Sequence, residues 1–341
     1  MTAPRHAAAL PRPPEVARVL RTATETARRH GMLPPGSTVL AAVSGGPDSI
    51  CLLHTLVLLR RLLRIEVACG HVDHGLRPAS AADAAYVRRQ AERLGVPFLS
   101  RAVAARPPRG ASVEAWARAE RYRLLDEMAA EVGAARIAVG HTRDDRAETV
   151  LLALIRGGGI EALTGMRPVR DHVVRPLLDV PRDQVEAFCR ALSLRPRRDA
   201  TNEDPAYLRS AIRGRVLPAI ERATGREVRA TLARTAALLA EDADLLAATA
   251  EAAATEVLWR DGEDVVLGAA ALAALPAPVA GRIAVRAIRE AGADPTARGA
   301  DRVRSLASAR PGTSVSVAPG LRGLRGRAEV RLSRAARVPL D

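Results

Sequence analysis

Apolar and polar positions fall into alternating blocks along the first 160 residues. Residues 15–31 (EVARVLRTATETARRHG) place apolar side chains at helical spacing and stop at Gly31. Residues 37–43 (STVLAAV) form a short, nearly continuous apolar run, the pattern of a buried parallel strand. The same alternation continues: helix from Asp48 to Leu63, strand 65–73, helix 80–94, strand 96–103, loop 106–111, helix 112–133, strand 135–140 and helix 144–156. Strands joined by crossover helices predict an α/β fold, a doubly wound parallel sheet covered on both faces. Ligands of such sheets gather outside the carboxyl ends of the strands, so the loops at 44–49, 71–77 and 141–148 should meet at one crevice.

Beyond 156 the pattern changes. Residues 157–168 are a Gly-rich loop, 172–178 read as another short strand, and Pro181 opens a helix over 181–194. After about residue 218 strand alternation disappears into an Ala-rich helix at 225–257. Helices follow at about 278–291 and 297–307. The stretch 313–333 alternates between Gly-based turns and predicts a hairpin or small meander. The expected organisation is a disordered N-terminus over 1–14, an α/β domain over 15–218, and a C-terminal region over 219–341. That last region comprises the helical linker and a small α+β domain from about 264.

Composition narrows the function classes. Aromatic residues are 2% of a 341-residue chain that is 48% hydrophobic, so the core must be built of Leu, Val, Ile and Ala. All 52 basic residues are arginine, so no reaction here can use a lysine of the chain's own. A net charge of +14 suits a polyanionic partner. The three cysteines, Cys51, Cys69 and Cys189, form no C-x-x-C pair, which argues against zinc, iron–sulfur or disulfide frameworks. No apolar run is long enough to span a membrane and the N-terminus has no secretory h-region, so the expectation is a cytoplasmic protein without a membrane partner.

Five segments carry candidate chemistry. In VSGGPDSI (43–50), Gly45 and Gly46 let the backbone approach an anion, and a helix begins at once. Ser44 and Ser49 can donate to phosphate oxygens, and Asp48 beside phosphates calls for a bridging magnesium ion. The loop is neither G-x-x-x-x-G-K-[ST] nor G-x-G-x-x-G. HVDHGLRP (71–78) bunches His71, Asp73, His74 and Arg77 at a strand end. GHTRDDRAETVLL (140–152) places Asp144, Asp145 and Glu148 on neighbouring helical positions, where acids can complement the helix dipole or hold a cation. EAWARAERYR (114–123) carries Arg118 and Arg121. RRDATNEDPAYLRSAIRGRVLP (197–218) carries Arg209, Arg213 and Arg215, which suit nucleic-acid phosphates or a solvated helix face.

The six letters S-G-G-x-D-S resemble the PP-loop of ATP pyrophosphatases, which cleave ATP between its α and β phosphates. Taken in order, S-G-G-P-D-S, H-V-D-H-G-L-R, E-A-x-A-R-x-x-R-Y, G-H-T-x-D-D-x-x-E-T and D-x-T-N-x-D-x-x-x-x-R-x-x-I-R resemble the tRNA(Ile)-lysidine synthetase family over about residues 37–220. Where that family often reads R-N-R-I-R, this chain has Ser210 and Ala211 between Arg209 and Ile212.

The resemblance implies a ligase that joins free L-lysine to C2 of the wobble cytidine in an isoleucine tRNA with a CAU anticodon. The reaction would pass through an adenylated cytidine and change decoding from AUG to AUA. It implies ATP and Mg2+ as cofactors and leaves room for a homodimer. It assigns ATP binding to Ser44, Gly45, Gly46, Pro47, Asp48 and Ser49, and magnesium to Asp48 and Asp145. Catalytic roles fall to Asp48, His71, Asp73, Arg121, Asp145 and Glu148, and tRNA contacts to Arg209, Arg213 and Arg215. Two rival readings stand beside it: another PP-loop enzyme such as a tRNA thiolase, which would want reactive cysteines, and an Arg-rich RNA binder that consumes no ATP.

Overall fold

The computed structural model describes residues 12–73, 80–104, 108, 112–197 and 208–334. The chain divides near residue 238 into two compact units.

In the first unit, α1 (Pro14–Arg29) leads into β1 (Thr38–Ala42), α2 (Pro47–Leu63), β2 (Glu66–Asp73), α3 (Ser80–Leu94), β3 (Phe98–Ala102), α4 (Val113–Glu131), β4 (Ala134–Val139) and α5 (Arg143–Ile155). After the single turn α6 (Ile160–Leu163) come β5 (Val169–Arg170), β6 (Val173–Val174) and α7 (Arg182–Ala191). The short α8 (Leu208–Ala211) then passes through a π-helical stretch, Ile212–Val216, into α9 (Leu217–Thr224).

The sheet has the order β3-β2-β1-β4-β6-β5 and is parallel except for β5. Strand order reverses between β1 and β4, which opens a crevice at their carboxyl ends. Alternation along β1 explains the two-sided core. Val39 and Ala41 pack toward α1, α2, α3 and α7, whereas Leu40 packs with Ile137 and Val139 toward Leu125 and Met128 of α4. The doubly wound parallel sheet expected from the alternating blocks is therefore present.

Two local expectations change. The run 172–178 yields a strand of only Val173–Val174, because Pro176 has no amide to donate to a ladder. It also pairs with an antiparallel edge strand, β5, across a tight turn in which Asp171 takes φ +56°. The Gly-rich loop 157–168 contains α6.

Helix α10 (Val228–Val257) runs through the division at residue 238. The second unit continues with β7 (Leu258–Asp261), β8 (Asp264–Gly268), α11 (Ala269–Ala274), α12 (Ala277–Glu290), α13 (Ala297–Ala307), β9 (Ser314–Ala318), β10 (Leu321–Arg325) and β11 (Glu329–Arg334). The expected meander is β9–β10–β11, and it extends into a five-stranded antiparallel sheet of order β7-β8-β11-β10-β9. The β7–β8 hairpin was not expected, although Asp261-Gly262 between apolar runs is a turn signal and Gly262 takes φ +61°. Val265, Leu267, Ile283, Val303 and Leu332 centre an entirely aliphatic core.

Candidate active site

The turn after β1 is built around one hydroxyl. Ser49 Oγ accepts from the amides of Ser44 (3.2 Å) and Gly45 (3.1 Å), donates to the Gly46 carbonyl (2.9 Å) and lies 3.2 Å from Ser44 Oγ. Gly45 takes φ +97°, which L side chains avoid, and its carbonyl accepts from the Arg197 amide at 2.9 Å. Gly46 caps α2 and Pro47 opens it, so the positive end of that helix faces the crevice. Gly140, at the end of β4, packs against this turn; a Cβ there would lie 2.8 Å from the Asp48 carbonyl oxygen. The turn therefore sits hard against the loop that carries the acids.

Asp48 occupies the first turn of α2. Its Oδ2 accepts from Arg182 Nη2 at 3.0 Å, while Oδ1 is buried and has no hydrogen-bond partner among the described residues. Burial pushes its pKa up to about 6 even though Arg182 opposes the shift.

Asp145 and Glu148 are both buried on α5. Asp145 Oδ2 accepts from the amide and the hydroxyl of Thr142, each at 2.8 Å, which completes a capping box. Its Oδ1 accepts from Arg182 (3.4 Å), Arg209 (3.4 Å) and Arg213 (3.1 Å). Burial alone would raise the Asp145 pKa; Arg182, His141, Arg209 and the Thr142 amide hold it below the usual range. Glu148 is 1% exposed, and Arg209 (3.0 Å) and Arg213 (2.9 Å) both donate to its Oε2. Arg209 and Arg213, spaced four apart across α8 and the π-helical stretch, thus turn inward onto carboxylates, whereas Arg215 is exposed.

The remaining sequence candidates are placed as follows. His71 is buried and donates its Nδ1–H to the Val43 carbonyl at 2.7 Å, tying the end of β2 to the start of the turn. Asp73 ends β2 and is partly buried. His74 and Arg77 lie outside the described residues, as do residues 1–11 and 198–207. Arg121 stands on α4 with its guanidinium 5.3 Å from the centroid of the Tyr122 ring.

Arg182 was missed by the motif reading, yet it joins Asp48 to Asp145 and its own amide donates to Asp144 at 2.9 Å. A signal was available: a cation at the first position of a helix opposes the helix dipole and needs an acidic neighbour. Arg229 was also missed; it pairs with Asp144 (3.2 Å) and with Glu221, fixing the start of α10 near that of α5.

Known proteins match this arrangement. A family model described as a PP-loop domain covers residues 17–220. A tRNA(Ile)-lysidine synthase of Symbiobacterium thermophilum is 46% identical over 218 residues, 61% of this chain and 45% of that protein. Another, of Salinispora arenicola, is 41% identical over 301 residues, 86% of this chain and 89% of that protein. The chain spans about half the length of the longer curated relatives it matches. The U34-tRNA thiolase NcsA from Methanococcus maripaludis shares the fold, with a TM-score of 0.56 at 19% identity over 67% of this chain and 80% of that one. With the PP-loop turn, the acids of α5 and relatives matched over most of their length in agreement, the chain belongs to the tRNA(Ile)-lysidine synthase family of PP-loop proteins.

Proposed function

We propose that this protein ligates lysine to C2 of the wobble cytidine of an isoleucine tRNA with a CAU anticodon, converting ATP to AMP and pyrophosphate. One observation carries the reading: Arg182 links the acid of a phosphate-cradling turn to a buried acid pair, so anion and cation sites share one crevice.

The turn's glycine amides and the first turn of α2 suit the phosphates of ATP. The buried, unpartnered Asp48 Oδ1 fits a hard divalent cation, and Asp145 lies on the same arginine. Magnesium, when bound, supplies neutralisation of phosphate charge. The C2 oxygen of cytosine is a poor leaving group, and its attack on the α-phosphorus, with release of pyrophosphate, makes it a good one. Backbone N–H groups fixed before the reaction stabilise the charge that develops. The ε-amine of lysine then attacks C2, the C2–oxygen bond breaks, and AMP leaves. Asp145 and Glu148 receive the ammonium form in exchange for a guanidinium and orient it, and Glu148 accepts its proton before attack. An anticodon loop is already single-stranded, so presenting the cytidine costs little unstacking.

A thiolase reading suits the site less well. All three cysteines are buried, and burial pushes Cys69 and Cys189 up to about 12 and Cys51 well above its ordinary value, so no thiolate is ready. The test is transfer of labelled lysine to a CAU isoleucine transcript in the presence of ATP and magnesium, with a methionine tRNA as control. Label in the isoleucine transcript alone supports the proposal. Folded protein that transfers none, or that releases no pyrophosphate, overturns it.

A further inference from the structure

Arg229 stands on the first turn of α10 and joins three other parts of the chain. Its Nε pairs with Asp144 of α5 at 3.2 Å. Its Nη1 pairs with Glu221 of α9, whose carboxylate also accepts the Arg229 amide at 3.3 Å. Its Nη2 donates to the main-chain carbonyl of Arg213 at 3.2 Å. A guanidinium carries its donors in a rigid planar fork, so one side chain sets the spacing of all three partners.

The third contact answers a gap in the helix ladder. The Leu217 amide donates to the Ile212 carbonyl, five residues back, in π register. The next amide in that register would serve the Arg213 carbonyl, but residue 218 is proline and has no N–H to give. A main-chain carbonyl without a donor is costly away from water, and Arg229 supplies the missing donor. Arg213 is therefore held from both ends. Its carbonyl is on Arg229, and its guanidinium is on Glu148 (2.9 Å) and Asp145 (3.1 Å). Asp144, the other partner of Arg229, accepts the main-chain amide of Arg182, the second arginine on Asp145.

A nearby ion pair provides a contrast. Arg143 with Glu227 joins the start of α5 to the residue before α10 through an exposed carboxylate. It is a tether between the same two helix starts, without the hold on the Arg213 carbonyl.

We propose that Arg229 is a positioning residue for the acid pair of α5: by pinning the main chain of the π-helical stretch, it limits the reach of the Arg213 guanidinium over Asp145 and Glu148 and so lets a substrate ammonium group displace it. Arg229 itself touches no substrate. Unpinned, Arg213 follows the carboxylates through more geometries and competes harder for them. That the incoming ammonium belongs to lysine rests on the proposed function; the pinning of the stretch does not.

The test compares full-length Arg229→Gln, Arg229→Lys and Glu227→Gln with the parent. It reads amide hydrogen exchange over residues 208–217, and steady-state KM and kcat for lysine and ATP with a CAU isoleucine transcript. Arg229→Gln should speed exchange in that segment by about tenfold or more. It should raise the lysine KM by about fivefold or more and leave kcat and the ATP KM within about twofold. Arg229→Lys keeps a charge for Asp144 and Glu221 but loses the fork, so it should recover the melting temperature without recovering exchange protection. Glu227→Gln should match the parent in both readouts. Unchanged exchange in Arg229→Gln, or an equal change in Glu227→Gln, overturns the proposal. So does a loss shared evenly among lysine KM, ATP KM and kcat, which is the pattern of general loosening. If Arg229→Gln does not fold, Arg229→Lys is judged by the same exchange and KM criteria. A parent that transfers no lysine would sink the proposed function alone, because the exchange comparison still decides whether Arg229 pins the stretch.

Discussion

The two units solve the problem of burying polar groups in opposite ways. Every buried polar or charged residue among those described lies between Thr24 and Arg175, in the first unit; residues 239–334 contribute none. The first unit places Glu148 and Asp145 under arginines at its strand ends, where water is excluded and electrostatic contacts are strong. The second unit keeps its core aliphatic and its arginines outside. Arg331 pairs with Asp261, Asp264 and Glu329 at the surface, and Arg286 pairs with Glu251 and Glu290. Buried ion clusters are poor sources of stability, so their confinement to one crevice marks where chemistry rather than folding selected the residues. The second unit's surface arginines suit contact with an RNA backbone, which tolerates loose geometry.

The largest expected effect comes from Glu148→Ala. It leaves Arg209 and Arg213 sharing Asp145, and should cost roughly 3 kcal/mol of unfolding free energy and abolish lysine transfer. Leu332→Ala in the other unit should cost a similar amount, about 2–5 kcal/mol, through a cavity, while calorimetric ATP binding stays normal. Loss of ATP binding in the Leu332 variant would break the division of labour.

Next are two glycines. A Cβ at Gly140 meets the Asp48 backbone at 2.8 Å, whereas one at Gly323 meets the Leu306 side chain at 2.7 Å. Backbone cannot yield as a leucine methyl can. Gly140→Ala should therefore impair ATP binding and lower the melting temperature more than Gly323→Ala does. The reverse order would show that the turn after β1 is not rigidly seated.

The third test concerns pH. Asp48 has a folded pKa of about 6 against an ordinary 3.8, so the fold prefers its protonated form. That contribution is complete below pH 3.8 and is lost as pH rises through 6. Asp48→Asn should therefore be more stable than the parent at pH 8, by about 1 kcal/mol after the lost Arg182 contact, and the difference should vanish in acid. It should transfer no lysine. Equal denaturation midpoints at pH 8 would mean that Arg182 fully offsets the burial of Asp48.

The smallest effect belongs to Arg331→Ala. Removing a solvated ion-pair hub should shift the melting temperature slightly in low salt, less in high salt, and leave transfer unchanged. A large loss of transfer would move the second unit's surface into the reaction.

Much of this was legible along the chain. Apolar blocks such as 37–43 and 135–140 announced parallel strands because both sheet faces are covered, and S-G-G-P-D-S announced the turn. The β7–β8 hairpin escaped because an Ala-rich helix runs directly into it and only Asp261-Gly262 marks the change. Arg182 escaped because, in sequence, it is 37 residues from Asp145 and 134 from Asp48, and is one arginine among 52.

Local pattern was sufficient for the layered α/β plan, the meander and the candidate acids, because periodicity and turn chemistry act over a few residues. Pairing was decided elsewhere. Which arginine neutralises Asp48 and which cap Glu148 depend on strand order bringing β1 and β4 side by side. Coulomb forces act across space, and a one-dimensional string of identical arginines holds no record of those distances.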